Sequence, residues 1–286
     1  MSAESDAEET LGGLVQRYVA EQCGVILENW EPLGRREAES VHPARVAVRR
    51  LRATLRTFGR VYDARAAEEF AAELRWWGLV LGGVRDLQVL GERFAPDEDP
   101  RTPRGRVELY LAAEIARELD SAWRAMSDAM TSERATRLYD AVGRWHRSPP
   151  FADDADRRPE RARKRVKKAD AKLRKRLERV REAAAAGDPR AADLLHSARK
   201  TAKRHRYALE LAAPVLGAGA DEEIERRREL QDAFGEQQDA VVAAEFLEGR
   251  NVAGEPPEVA FALGELTEAT RRQAHDVRGP LAAVRG

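Results

Sequence analysis

The string VHPARVAVRRLRATL, beginning at Val41, returns as LHSARKTAKRHRYAL, beginning at Leu195, at a constant offset of 154 residues. His42 pairs with His196, Arg45 with Arg199, Arg49 with Lys203, Arg50 with Arg204 and Arg52 with Arg206. Further along, LGGVRDLQVL from Leu81 answers FGEQQDAVVA from Phe234, with Gly82 opposite Gly235, Asp86 opposite Asp239 and Val89 opposite Val242. This second offset is 153, so one residue is absorbed between the blocks. Two copies of one helical unit predict a pseudo-twofold pair of halves that brings both sets of basic residues to a shared cleft. The copies are not equal: Glu210 stands where the first repeat has Arg56, and the acidic first helix corresponds roughly to the very basic helix near 157–186.

Each copy reads as a single helix. At 100° per residue, His42, Arg45, Arg49, Arg52 and Arg56 fall within a sector of about 80°, beside an apolar stripe of Val41, Ala44, Val48, Leu51, Leu55 and Phe58. A solvated helix face usually mixes Glu with Lys at i,i+4 spacing, and no acid interrupts this row. The row is therefore either an unusual solvated face or a surface that answers to an anion.

The rest of the chain has the same character. Alanine, leucine, arginine and glutamate dominate, no segment alternates like a strand, and proline and glycine gather at a few breaks, so the expected fold is all-α. Helices are expected near 8–31, 42–62, 65–94, 104–130, 133–147, 157–186, 189–214, 220–249 and 257–278. Pro43 is expected near the first turn of its helix, and Asp188 as an N-cap before Pro189. FAPDEDPRTPRG and HRSPPFADDADRRPE read as loops. The second loop divides the chain into repeats at 1–150 and 151–286.

Formal charge sums to zero over 286 residues, but it is segregated: residues 1–40 carry nine acids against three arginines, and residues 157–181 carry fourteen bases against three acids. The 157–186 helix sets Arg161, Lys164, Lys168, Lys172, Lys175 and Arg179 opposite its apolar row of Ala162, Val166, Ala169, Leu173 and Leu177. Arg163, Lys167 and Arg174 flank that row on one border, Arg165 and Arg176 on the other. A single cysteine, Cys23, rules out an internal disulfide and a cysteine-rich metal site, and fits the cell interior. The opening MSAESDAEET lacks the features of a secretory signal, and no apolar run approaches the roughly 20 residues that cross a bilayer. A cytoplasmic protein without a membrane partner is expected.

The three quoted strings resemble the conserved histidine α-helical domain, the CHAD family. Its pattern of H-x-x-R followed by Val or Lys, a basic-Arg-x-Arg run and a later G-x-x-R/Q-D helix is matched in both repeats, and the likeness covers nearly the whole chain from about residue 10. The resemblance implies two antiparallel helical bundles around a basic central channel that binds inorganic polyphosphate, with association to polyphosphate granules. It points to His42, Arg45, Arg49, Arg50, Arg52, His196, Arg199, Lys203, Arg204 and Arg206 as polyphosphate-binding. Arg56 joins by helical phase, and Lys164, Lys167, Lys168 and Arg174 join from the basic helix. Many relatives carry a triphosphate tunnel enzyme domain with an E-x-E-x-K signature; the nearest string here, EAESV from Glu37, lacks the lysine, so no attached catalytic domain is expected.

Catalysis finds little support in the residues. There is no G-x-x-x-x-G-K-S/T loop, H-E-x-x-H or G-x-S-x-G string, and no carboxylate cluster suited to magnesium beside the basic rows. His42 and His196 are followed by bases, which would repel a metal ion, so phosphate contact or a structural role is expected of them and no cofactor or metal is expected. Asp86 and Asp239 are expected to orient and partly neutralise the rows. Arginine's forked donors and lysine's point charge suit the closely spaced charges of polyphosphate. Nucleic acid is the rival ligand, with only Tyr207 in the rows to stack a base. A granule-coat or scaffold protein, pairing its acidic zone with the basic zone of another copy, is a third reading.

Overall fold

The computed structural model describes residues 10–276 together with 279 and 281. The expected absence of a leader in MSAESDAEET concerns, Thr10 apart, residues outside this range, as do the start of the expected 8–31 helix and the end of the 257–278 helix. Among the described residues there are ten α-helices: α1 (Leu11–Glu28), α2 (Trp30–Gly34), α3 (Ala38–Phe58), α4 (Ala64–Arg93), α5 (Pro103–Met130), α6 (Glu133–Arg147), α7 (Arg161–Ala185), α8 (Ala191–Leu216), α9 (Ala220–Leu247) and α10 (Pro257–His275). The fold is all-α, and none of these helices is long and apolar enough to cross a membrane.

Side-chain caps set several of the boundaries. Thr10, Asp63, Thr102 and Ser132 each accept a hydrogen bond from the backbone N–H three residues on, at 3.1, 2.8, 3.0 and 3.2 Å. Each thereby satisfies an orphan donor in the first turn of α1, α4, α5 or α6. Two expected starts are corrected. α3 begins at Ala38, so Pro43 lies in its second turn; the added turn is held by Ser40, whose backbone and hydroxyl both donate to the Glu37 carbonyl. The acceptor that Pro43 leaves unpaired belongs to exposed Glu39. Helix α8 begins at Ala191, after Pro189, because Asp188 accepts from the Arg190 N–H at 2.9 Å and pairs with its guanidinium at 2.7 Å, which makes a turn ahead of the helix.

The two repeats pack as pseudo-twofold partners. Helix α1 lies on α3 as α7 lies on α8, and α4 follows α3 as α9 follows α8. Leu51, Leu74, Trp77 and Val19 centre one core among α1, α3, α4 and α6, which also takes in Ala208, Leu209 and Ala212 of α8. Leu173, Leu177, Leu195 and Phe234 form a second among α7, α8 and α9. A third is shared, with Leu90, Phe94 and Leu111 of one repeat packed on Phe246, Leu247 and Leu263 of the other. Each buried aliphatic side chain contributes roughly 1.5–3 kcal/mol, so these cores press α3 against α8 and fix the basic rows relative to one another.

Candidate functional site

Where α3 crosses α8, the matched residues of the two repeats meet. Lys203 is held down to about 6, first by burial and then by the nearby Arg49, Arg199 and Arg45 cations, with Asp239 pulling the other way. Arg199 is also lowered, by burial and by Arg49 and Arg45 against Asp239, and its Nε is buried without a hydrogen-bond partner. Arg45 Nη1 donates to Asp86 Oδ1 at 2.7 Å and to the Gly82 carbonyl at 3.2 Å, so Asp86 plays the orienting part expected of it. Gly82 lies against the Arg45 guanidinium: a Cβ there would sit in ordinary contact with it, at 3.5 Å. Arg49 Nε donates to the Tyr207 hydroxyl at 2.7 Å.

The two histidines sit in different settings. His42 keeps part of its surface in solvent beside Arg85, Arg49 and Arg45; partial burial and those cations lower its pKa despite Glu92, so the ring is a neutral donor at ordinary pH. His196 Nδ1 lies 2.6 Å from Gln238 Oε1, which fixes the ring.

Beside this central cleft, Arg50 and Arg206 are tied up internally. Glu210 sits 3.3 Å from Arg50 Nη2 and 3.3 Å from Arg206 Nη1, and Tyr18 donates its hydroxyl to it at 3.0 Å. Burial opposes the Arg50 charge most strongly, but Glu210 together with Tyr18, Tyr207 and Glu21 outweighs it and the pKa rises. Tyr207, fully buried, lies 5.7 Å below Arg50 and 5.0 Å below Arg206. Its face is therefore taken by guanidinium groups.

On the other flank of α3, Arg56 and Arg204 gather with Lys172 and Arg176 of α7, and Arg52 borders the group beside Arg56 and toward Arg75 of α4. Burial, then Arg56 and Arg75, lowers Arg52; burial, then Arg56 and Arg176, lowers Arg204. Lys172 is lowered first by Arg204, then by burial, Arg176, Arg56 and Lys168. The hydrogen-bond acceptors here are neutral: Arg176 donates to the Ser197 carbonyl at 2.9 Å and Thr201 Oγ1 at 2.5 Å, and Arg204 donates to Thr201 Oγ1 at 3.0 Å.

The border of α7 that carries Arg165 and Arg176 thus faces α3 and α8; Arg165 itself donates to the Thr57 carbonyl at the end of α3. Lys168 joins this side, and exposed Lys164 lies one turn before it. Arg174 is turned away to Asp170 at 2.8 Å, and Lys167, seven residues before Arg174, shares that border. Asp170, His205 and Glu223 come within metal-binding reach of one another. The Arg227 guanidinium already fills the role of cation there, at 3.3 Å from Asp170, 2.5 Å from Glu223 and 3.1 Å from His205 Nδ1. Sequence reasoning placed Lys172 and Arg176 on the basic 157–186 helix without assigning them to the site, and it did not single out Arg85 or the Glu210 pocket. The 154-residue register, which sets Tyr18 opposite Lys172 and Gln22 opposite Arg176, carried the signal.

A family model described as the CHAD domain matches residues 17–248. The uncharacterised proteins MT2285 and Rv2226 of Mycobacterium tuberculosis (strains CDC 1551 and H37Rv) are each 32% identical to the chain over 248 residues. The alignment covers 82% of this chain and 44% of each of theirs, so the chain spans less than half the length of these relatives. Among solved structures, the CHAD domain from the plant Ricinus communis superposes with a TM-score of 0.74 at 25% identity, covering 100% of this chain and 93% of that one. PptA from Streptomyces chartreusis superposes with a TM-score of 0.76 at 22% identity, covering 96% and 98%, a likeness of fold.

Proposed function

The chain belongs to the CHAD domain family, and we propose that its central cleft binds inorganic polyphosphate without transforming it, in the cytoplasm and in association with polyphosphate granules. One observation carries the reading: Arg45, Arg49, Arg199 and Lys203 converge from both repeats at the α3–α8 crossing, where burial first and the three arginines second hold Lys203 down to about 6. Asp86 and Asp239 are the carboxylates set against them. A cleft that suppresses its own lysine charge is short of anions, and a polymer with a charge at every phosphate supplies them. The repeats 1–150 and 151–286 act in this reading as the two walls of one site.

Non-catalytic binding is supported by the chemistry of the cleft. Asp86 is engaged with Arg45 and Asp239 stands beside Arg199 and Lys203, so neither is a free base, and no pair of carboxylates there suits magnesium. Against nucleic acid, Tyr207, the aromatic ring of the basic rows, is buried among arginines and is not open to stack a base. The test is calorimetric titration of long-chain polyphosphate and of single-stranded RNA at matched phosphate and salt. Polyphosphate binds more tightly in this reading, and reversing Arg45, Arg49 and Arg199 together to Glu lowers its affinity by about a hundredfold or more while helix content stays unchanged. Equal affinity for RNA, or wild-type binding by the triple variant, would contradict it.

A further inference from the structure

The pocket around Glu210 has a mate. The 154-residue register that pairs α3 with α8 also pairs α1 with α7, where buried Val19, Cys23 and Ile26 answer Leu173, Leu177 and Val180. In that register Arg50 corresponds to Arg204, Arg206 to Arg52, Gln22 to Arg176, Tyr18 to Lys172, and Glu210 to Arg56. The contacts follow the register: Gln22 Oε1 lies 3.5 Å from the Arg50 guanidinium, and Arg176 and Arg204 both donate to Thr201 Oγ1, at 2.5 and 3.0 Å. The two arginines that grip the Glu210 carboxylate are thus repeated, and the carboxylate is not. Arg56 and Lys172 take the places of the acid and of the tyrosine that bonds it.

The geometry points to a phosphoryl-binding pocket formed by Arg52, Arg56, Lys172, Arg176 and Arg204, in which an incoming oxyanion takes the place that Glu210 fills in the mate. Two arginines paired through the register and three further cations, Arg56 and Lys172 exposed and the others half-buried, would otherwise repel one another with no carboxylate partner among the described residues. The pocket adjoins the central cleft, since Arg49 and Arg52 lie one turn apart on the same face of α3. Resting on the polyphosphate reading, its occupant is an end of the polymer: a chain held in the cleft finds cations at the Arg56 end and a resident carboxylate at the Glu210 end. The cleft is then one-ended.

Pyrophosphate is the probe that tests this, with thermal melting and calorimetry on the full chain and on Arg56→Glu and Arg56→Gln. Arg56→Glu restores the missing carboxylate, so it melts higher than wild type without ligand and binds pyrophosphate about tenfold more weakly or worse. Arg56→Gln falls between the two in affinity, and it decides the matter if the glutamate variant does not fold. Wild-type pyrophosphate affinity in either variant overturns the pocket. A parallel titration with long-chain polyphosphate separates the two claims. Pyrophosphate binding through Arg56 by a protein that ignores the polymer keeps the pocket and removes the polymer reading. Polymer binding indifferent to Arg56 keeps the cleft and removes the pocket.

Discussion

The Glu210 pocket and the Arg56 pocket stand on the same pair of helices with matched arginines, yet among the described residues one contains its anion and the other does not. The difference teaches how to sort a basic row. Arg50 and Arg206 match the family pattern as well as Arg45 or Arg199 does, but with Glu210 and Tyr18 around them they serve the fold. Arg52, Arg56 and Arg204, whose neighbours are cations and neutral oxygens, are the ones proposed to serve a ligand.

Removing the internal anion is the largest break in this comparison. Glu210→Ala leaves Arg50 and Arg206, both mostly buried, without a counter-charge, and is expected to cost about 3 kcal/mol in urea unfolding. Arg56→Ala, its mate, is expected to be neutral within about 0.5 kcal/mol or stabilising, because it relieves repulsion. Equal losses would erase the distinction between the pockets.

Next in size is the pH dependence of stability. Lys203 titrates near 10.5 when unfolded and at about 6 when folded, so between those values the unfolded chain binds the extra proton. This lysine's contribution therefore makes stability rise with pH across that window and is least favourable below 6. Lys203→Met removes the term: the variant melts higher than wild type near neutrality, and its melting temperature depends less on pH from 6 to 10.

The smallest contrast lies on α7. Lys172→Ala is expected to weaken polyphosphate binding several-fold, and Arg174→Ala by less than about twofold with a stability change under about 0.5 kcal/mol, as for an exposed ion pair. Titration of the two variants side by side distinguishes the borders of the helix.

Much of this was legible in the sequence, because local rules govern it. Helix ends follow caps such as Ser132 and loop prolines, and the row from His42 to Arg56 follows from a 3.6-residue period. Arg174's turn to Asp170 is an i,i+4 pair and could have been read directly. The Glu210 pocket was not legible in the same way: Tyr18 and Glu210 lie 192 residues apart, and only tertiary packing decides which arginines share one carboxylate. The start of α3 was hidden by Pro43, since a proline signals a helix start more often than a second turn.

The central claim is that the α3–α8 cleft lacks an anion that polyphosphate supplies, and its most direct test counts protons. At about pH 8 the free Lys203 is neutral, and a bound polyanion restores its charge, so binding should take up about one proton per chain. Calorimetric titration of long-chain polyphosphate in two buffers of different ionisation enthalpy measures that number. The account predicts an uptake near one in wild type that disappears in Lys203→Met. Binding without proton uptake, or the same uptake in the methionine variant, would contradict it.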